Sequence, residues 1–541
     1  RGGTGGPRRL DTTFGDRTLL QCTLERLGRS TELASIVLLV PGSFDVERLI
    51  DRDRVGLPVE CRRFAGEIFD DRQIAFRAGR ANAPTAWRGG IHGLTVYDEV
   101  LAPAATLDAL RAVEADAAVL VGPDWTCVAV EGGYGVDEVV RRFKDRPELP
   151  FVFVQAPPGI GSCLLTTDLL STFAGTRSRL ASIGHLLGYR PDRPEGDPIA
   201  QECCVVPPAS VRDRIGRFIP DSAVGLERIR ILLERHREEG EDPVSSLESG
   251  LLGPATDPDR APSVLRIELG TERIGRNPSV RSDPEIHRPP MTVERFRGIV
   301  AGLNRPEDVI VVLDGVGDPL RHPDFDVFAR IAVDAGVRQV RIRSDLFVAD
   351  EVVDRLLAAP VEVVEVDVDA HTTETWRRIR GHDGYDRVMR NLDRLASERR
   401  ASESSNGLTT DLHATVPWIV PRFQRRPDNL DELPEFFESW RRRLGTAVID
   451  GPVRWAAGPG ESDVGPGATY PPPVRDRWVA LHRMTVLSDG SVPVLETDLA
   501  GAEVVGSVDG ESVESIWPRV LEARRRFETE HGRPPTPWRC G

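Results

Sequence analysis

The first residues of the chain combine two properties that suit the binding of phosphate. Glycine allows the backbone to approach a phosphate closely, and backbone N–H groups together with arginine side chains can neutralise its charge. The opening loop therefore predicts a phosphate-binding segment, although an unstructured terminus would account for the same glycines. The candidate residues are Gly2, Gly3, Gly5, Gly6, Arg8 and Arg9.

The cysteines are the second group of residues that could carry chemistry. The chain has 7 of them, an odd number, and they are dispersed, which is typical of reduced thiols rather than of a disulfide framework. We therefore expect a cytoplasmic protein. Cys163, Cys203 and Cys204 are expected to pack in the interior, with a thiol site as the alternative.

The overall charge argues against two classes of partner. The formal net charge is −15 at pH 7, whereas nucleic acids and anionic membranes both favour basic surfaces. We see no apolar stretch of the ~20 residues that a transmembrane helix needs. We expect neither nucleic acid nor a membrane as a partner.

Short β-branched runs alternate with helical patterns in the first part of the chain. The runs at 35–40, 117–121 and 151–154 are bounded by Gly, Pro or Asp, as strands buried on both faces are. Helical patterns such as 19–27 lie between them. The alternation predicts an α/β fold over residues 1–234, with a Rossmann-like parallel sheet covered by helices.

A second alternating set follows a stretch rich in Glu, Gly, Pro and Ser, which we interpret as a linker at 235–262. The second set predicts a partial (β/α) TIM-like barrel over residues 263–475. Residues 476–541 are predicted to form a small terminal segment. The predicted barrel strands are 263–269, 308–313, 338–342 and 361–368.

The N-terminal region resembles the nucleotidyltransferases, a family that includes cytidylyl- and guanylyltransferases. The likeness rests on the opening loop, on a helix that carries Leu19, Leu20 and Leu24, and on the strand at 35–40. In that family an acid after a later strand holds a divalent metal, so the resemblance implies Asp124 as a ligand of Mg²⁺, which prefers carboxylate oxygen. It also implies a nucleoside triphosphate as substrate and a nucleotide or nucleotide-sugar as partner.

The C-terminal region resembles the radical S-adenosylmethionine (radical SAM) enzymes. The segment 314–319 matches the glycine-rich segment that contacts the methionyl amine of S-adenosylmethionine in that family, which implies Gly315, Gly317 and Asp318 as such a site. The stretch from 366 to 392 follows in the order of the peptide-modifying branch. Residues 488–517 resemble a SPASM segment. The resemblance implies a radical SAM-type barrel and a peptide, protein or sugar acceptor.

The cysteines that hold an iron–sulfur cluster in that family are replaced here. The CxxxCxxC positions hold Ile274, Pro278 and Arg281, and the SPASM positions after Pro493 hold Val494 and Leu495. Iron–sulfur clusters are held by thiolates. The sequence therefore argues against a 4Fe–4S cluster and leaves the binding of S-adenosylmethionine open.

Three hypotheses describe the function at this point. The favoured one is a nucleotidyl- or sugar-transferase-like enzyme that uses Mg²⁺ and whose radical SAM-like half acts as a binding platform. The second is a non-catalytic scaffold or regulatory partner. The third is an active radical SAM enzyme that modifies a peptide or a sugar with an atypical cluster. No catalytic residue is assigned under any of them.

Overall fold

The structure is a computed structural model, and the chain divides in it into two compact units. We call Gly2–Pro254 the N-terminal unit and Ala255–Gly541 the C-terminal unit. Each unit has its own buried apolar core. The finer boundaries at 234, 262 and 475 stay predictions. The structure describes residues 10–42, 44–64, 87–88, 94–175, 182–188, 190, 196–212, 216–239, 244–245, 261–276, 286–405, 417–450, 482–496 and 498–531.

The N-terminal unit alternates short strands and helices. Its strands are β1 (Thr13–Phe14), β2 (Arg17–Thr18), β3 (Ile36–Pro41), β4 (Val59–Phe64), β5 (Ala117–Leu120), β6 (Phe151–Val154), β7 (Cys163–Thr166) and β8 (Cys204–Val205). Its helices are α1 (Leu19–Leu27), α2 (Pro103–Ala112), α3 (Val136–Asp145), α4 (Thr167–Gly175), α5 (Ile183–Leu187), α6 (Ala209–Arg212) and α7 (Ala223–Glu239).

The main sheet of the N-terminal unit is mixed, with strand order β5-β7-β6-β8. Strand β7 lies between β5 and β6 and runs antiparallel to both. The Rossmann-like parallel sheet predicted for residues 1–234 is therefore not confirmed. The reason is β7 itself, which the sequence pattern did not reveal. It follows β6 after residues 155–162, and so short a connection returns the chain antiparallel, because a parallel crossover needs a dozen or more residues.

The C-terminal unit continues the numbering. Its strands are β9 (Val264–Ile267), β10 (Ile310–Leu313), β11 (Gln339–Ser344), β12 (Val363–Asp367), β13 (Trp418–Gln424), β14 (Val448–Asp450), β15 (Arg483–Val486), β16 (Ser491–Pro493) and β17 (Val504–Ser507). Its helices are α8 (Val293–Ala301), α9 (Phe325–Asp334), α10 (Asp350–Ala358), α11 (Thr373–Arg380), α12 (Tyr385–Ser405), α13 (Leu433–Leu444) and α14 (Val513–His531).

Seven strands of the C-terminal unit form one parallel sheet in the order β14-β13-β12-β11-β10-β9-β15. The parallel arrangement predicted from the alternating pattern is confirmed. Among the described residues the sheet does not close into a barrel, since β14 and β15 are its two edges. Strands β16 and β17 form a separate antiparallel pair.

The two faces of the parallel sheet differ in character because successive strand residues point to opposite sides. One face is apolar, with Ile267, Leu313 and Ile342 in the core that includes Phe296 of α8 and Phe328 of α9. On β9, β11 and β12 the alternate positions include the charged residues Arg266, Arg343 and Asp367, which are buried on the other face. The fold thus collects buried charges at the carboxyl ends of the strands.

Candidate functional site

Buried ion pairs connect neighbouring strands of the parallel sheet. Arg343 on β11 pairs with Asp367 on β12 at 2.8 Å, and Arg422 on β13 pairs with Asp450 on β14 at 2.5 Å. Arg422 also reaches Glu365 on β12. Burial alone would raise the pKa of Asp367, but Arg343 and other nearby guanidinium groups lower it below its ordinary value. We call the following set the strand-end cluster: Arg266, Glu268, Arg273, Arg288, Asp314, Asp318, Arg343, Asp345, Glu365, Asp367, Asp369, Arg380, Arg422 and Asp450.

The side chain of Glu268 packs closely against Gly315, a glycine of the segment 314–319. Its carboxylate is fully buried and binds Arg288 through two hydrogen bonds of 2.9 Å. It also accepts from Val316 N at 3.0 Å. A Cβ atom on Gly315 would lie 2.5 Å from Cγ of Glu268, and one on Gly317 would lie 2.5 Å from the carbonyl oxygen of residue 270. Both glycines are thus required by close contact with the chain that follows β9.

Asp318 ties the ends of β10 and β11 together. One carboxylate oxygen accepts from Leu320 N at 2.9 Å, and the other accepts from Ser344 Oγ at 2.8 Å and Asp345 N at 3.0 Å. Burial, assisted by the neighbouring Asp345 carboxylate, raises the pKa of Asp318 to about 7. Because both oxygens are engaged within the protein, Asp318 holds the strand ends in place.

Arg273 reaches into the cluster from the segment after β9. Its side chain is only 5% exposed, and Nη1 lies 3.3 Å from Oδ2 of Asp345. Nη2 donates to the carbonyl oxygen of Gly317 at 3.3 Å. Burial alone would raise the pKa of Asp345, but Arg273 and a hydrogen bond from Asp318 lower it below its ordinary value. Arg273 is therefore the counter-ion of Asp345.

Helix α11 delivers two further polar side chains to the same end of the sheet. Thr372 caps its first turn by accepting from Thr375 N at 3.3 Å. Trp376 and Arg380 are four residues apart and share one side of the helix, and the guanidinium carbon of Arg380 lies 5.1 Å from the Trp376 ring centroid. Arg380 donates to Asp369 Oδ2 at 2.7 Å, which fixes the orientation of its guanidinium group.

Several buried nitrogens around the end of α11 have no hydrogen-bond partner among the described residues. They are Nε of Arg273, Nε1 of Trp376, Nε and Nη1 of Arg380, and both ring nitrogens of His382. A buried polar group left unpaired costs about 1–3 kcal/mol, so these nitrogens need partners from ordered water or from a bound ligand, which makes the end of α11 a candidate binding site.

His382 belongs to this group through its packing. Its ring lies 4.6 Å from the Phe347 ring centroid and meets Trp376 edge-on at 5.9 Å. Burial lowers the pKa of His382 below its ordinary value, so the imidazole is neutral at pH 7 and offers one N–H donor and one acceptor.

The charge balance of the strand-end cluster is negative. Its carboxyl groups outnumber its guanidinium groups, and burial raises the pKa of both Asp318 and Asp369, which reduces this excess without reversing it. A buried site with unpaired donors and an excess of carboxylates favours a ligand that combines an acidic group with net positive charge.

Asp124, the metal ligand implied by resemblance, lies in the turn after β5. Its side chain is fully buried and has partners within the protein. In the part of the chain that the structure describes, no group of three or more His, Cys, Asp or Glu residues is arranged to hold a metal ion. The phosphate-loop candidates, which comprise Gly2, Gly3, Gly5, Gly6, Arg8 and Arg9, lie outside the described residues.

The three cysteines considered as a thiol site are buried. Burial raises the pKa of Cys204 to about 12 and raises the pKa of Cys163 and Cys203 as well. Thiols in this state are protonated at neutral pH and are poor nucleophiles. No helix in the described ranges is both long enough and apolar enough for a membrane span.

Sequence reasoning missed the residues with unpaired donors. It noted the stretch from 366 to 392, which contains Trp376, Arg380 and His382, but assigned no role to any of them. A clue was present, since an aromatic residue and an arginine four positions apart precede Gly381 just after a barrel strand. Arg273 offered no clue, because only the fold brings it to Asp345.

Comparison with known proteins identifies one domain. Residues 278–410 match the family model "Radical SAM superfamily", so a radical SAM domain lies in the C-terminal part of the chain. The AdoMet-dependent heme synthase of Methanosarcina barkeri is 33% identical over 103 residues, which are 19% of this chain. The match spans 28% of that relative's length.

Solved structures with a similar fold include SuiB of Streptococcus suis bound to S-adenosylmethionine. It is 10% identical, with a TM-score of 0.39, and the match covers 56% of this chain and 80% of that chain. A cytidylyltransferase of Leptospira borgpetersenii serovar Hardjo-bovis is 17% identical, with a TM-score of 0.32, over 47% of this chain and 92% of that chain. These TM-scores are low, and neither function is carried over from them.

The cofactor prediction made from the sequence was wrong. It placed Mg²⁺ and a nucleoside triphosphate first and argued against a 4Fe–4S cluster, whereas members of the matched superfamily bind S-adenosylmethionine and 4Fe–4S clusters. The described residues of the C-terminal unit include no cysteine. They offer none of the thiolates that such a cluster takes.

Proposed function

We propose that the C-terminal unit binds S-adenosylmethionine at the strand-end cluster. The observation that carries this proposal is the group of buried, unpaired donors on Trp376 and Arg380 beside an excess of carboxylates. S-adenosylmethionine has a carboxylate, an ammonium and a sulfonium, so it combines an acidic group with net positive charge. The match of residues 278–410 to the radical SAM family supports the same ligand.

The carboxylate of the ligand would be bound by Arg380 and Trp376. Nε and Nη1 of Arg380 are the two guanidinium nitrogens not used by Asp369. They point in different directions, so one of them would donate a charge-assisted hydrogen bond to the carboxylate and Nε1 of Trp376 would donate the other. Asp369 fixes the arginine before the ligand arrives, which reduces the side-chain ordering that binding would otherwise require.

The net positive charge of the ligand would be stabilised by the carboxylates of the strand-end cluster. Because these are buried, their interaction with a cation is screened less by water than it would be at the surface. Bound S-adenosylmethionine supplies an activated carbon–sulfur bond, and the residues described here hold and orient it. A peptide, protein or sugar acceptor stays a prediction.

The substitution Trp376→Phe tests this proposal and keeps an aromatic ring in the core. It removes one buried donor, and a hydrogen bond to a charged group contributes about 1.5–3 kcal/mol, so affinity for S-adenosylmethionine should fall about tenfold or more. The measurement is a calorimetric titration of the full chain.

The matched control is Trp440→Phe, the same chemical change on α13, where the indole packs against Phe436. It should leave the affinity unchanged. The proposal is contradicted if the wild-type chain does not bind S-adenosylmethionine, or if Trp376→Phe binds it as tightly as the wild type.

A further inference from the structure

Arg273 is the most loosely paired member of the strand-end cluster. Its contacts with Asp345 and with the carbonyl of Gly317 are both 3.3 Å long, whereas Arg343 approaches Asp367 to 2.8 Å and Arg288 approaches Glu268 to 2.8 Å. Charge-assisted hydrogen bonds of full strength measure about 2.7–2.9 Å. Nε of Arg273 has no partner among the described residues. The guanidinium group of Arg273 therefore lies in the cluster, but its hydrogen-bonding capacity is not fully used there.

The backbone around Arg273 accounts for its position. Glu272 O accepts from Asp318 N at 2.8 Å, and Arg276 N donates to Arg380 O at 2.9 Å. Gly275 has a φ of +73° and packs so closely that a Cβ there would lie 2.3 Å from the His382 ring. Backbone contacts thus hold the segment 271–276 in place on both sides of Arg273. They position its guanidinium group among the strand ends even though its own hydrogen bonds are long.

The acceptors that Arg273 uses are those that a primary ammonium would use. A carboxylate oxygen and a backbone carbonyl oxygen, both buried, suit any cation that has several N–H donors. Burial would lower the pKa of Arg273, but Asp345 and other carboxylates raise it above its ordinary value. The guanidinium is therefore charged at every pH at which the protein is folded, and it repels a second cation from these groups.

We propose that Arg273 is an internal cation that occupies the ammonium-binding groups of the strand-end cluster, so that it suppresses recognition of the amino group of S-adenosylmethionine. This inference rests on the proposed function, because it concerns the same ligand. It makes Arg273 a specificity-determining residue. The wild-type chain binds the ligand through its carboxylate and sulfonium, and the amino group contributes little unless Arg273 is displaced.

The test compares S-adenosylmethionine with an analogue that lacks only the amino group, by calorimetric titration of the full chain. The wild type should bind the two compounds with affinities within about threefold of each other. Arg273→Gln should bind S-adenosylmethionine at least tenfold more tightly than the wild type and should bind the deaminated analogue as the wild type does. Arg273→Lys keeps the charge and should behave as the wild type.

The outcomes separate the two proposals. If no variant binds either compound, the proposed function fails and this inference fails with it. If S-adenosylmethionine binds but Arg273→Gln leaves the preference unchanged, only this inference is overturned. If Arg273→Gln does not fold, the titrations of the wild type still test this inference. A wild-type affinity for S-adenosylmethionine that is tenfold or more above its affinity for the deaminated analogue would contradict it.

Discussion

At the scale of single residues, Asp318 has structural contacts that its position in the sequence does not reveal. Resemblance places it in a segment that contacts S-adenosylmethionine, yet both of its oxygens bind groups at the ends of β10 and β11. Close contacts within the protein likewise explain why glycine is required at positions 315 and 317. The sequence could identify the segment but not these contacts, because they depend on strands far apart in the chain.

The raised pKa of Asp318 predicts a pH-dependent contribution to stability. Its folded pKa of about 7 lies above the unfolded value, so the folded state holds the proton more tightly. The contribution is fully present below the unfolded pKa and is lost as pH rises towards 7. Asp318→Asn resembles the protonated acid and does not titrate. Relative to the wild type, the variant should therefore gain stability between pH 4 and pH 8.

Urea unfolding at both pH values checks this difference, with a fluorescence or circular dichroism signal for the C-terminal unit. Ser344→Ala is a useful companion, because it removes one hydrogen bond to Asp318 and leaves the titrating group in place. An equal stability difference between Asp318→Asn and the wild type at pH 4 and pH 8 would mean that the pKa of Asp318 in the folded state is not raised above its unfolded value.

At the scale of elements, the end of α11 sets the position of Arg380. Gly381 has a φ of +78° and closes the helix in the left-handed region, and its N–H donates to Arg377 O at 2.8 Å. Glycine adopts this conformation without steric strain, whereas residues with a Cβ atom are destabilised in it. The helix therefore ends where Arg380 still lies beside Asp369 and Trp376.

Replacing Gly381 by alanine should lower the free energy of unfolding by about 1–2 kcal/mol because of the left-handed backbone. Space is not the cause, since a Cβ there would make only ordinary contacts, at 3.5 Å or more from Arg276. Chemical denaturation of the full chain measures the change.

Gly298→Ala is the matched control, because Gly298 lies within α8 and its added Cβ would meet nothing within 4 Å. That variant should gain about 0.5–1 kcal/mol, since alanine is the better helix former. Equal effects of the two substitutions would contradict the account of Gly381.

At the scale of the whole molecule, the sequence predicted one unit better than the other. The parallel sheet of the C-terminal unit followed from long runs of alternating strand and helix patterns. In the N-terminal unit, the sequence did not predict β7, because a four-residue strand beginning at Cys163 shows little periodicity. The direction of this strand also depends on the length of the connection that precedes it. The strand-end cluster was not foreseen either, since many of its charges, such as Arg273 and Arg380, lie outside the strands and are brought to the strand ends only by the fold.

Because each unit has its own apolar core, we predict that S-adenosylmethionine raises the temperature of one unfolding transition of the full chain and not of the other. Ligand at a hundred times its Kd adds about 2.7 kcal/mol to the unit that binds it. Differential scanning calorimetry should show a rise in the transition that Phe328→Ala lowers, because Phe328 is in the core of the C-terminal unit. The transition lowered by Leu24→Ala, in the N-terminal unit, should not move. Equal shifts of both transitions would contradict this assignment.

The most direct test of the central claim observes the indole N–H of Trp376 itself. The chain has 9 tryptophans, and the Trp376 resonance in a ¹H–¹⁵N spectrum of the full chain is identified as the one that Trp376→Phe removes. Because Nε1 has no hydrogen-bond partner among the residues that the structure describes, titration with S-adenosylmethionine should move this proton clearly downfield as it donates to the ligand's carboxylate. Binding of S-adenosylmethionine that leaves the Trp376 resonance in place would show that the ligand is held elsewhere.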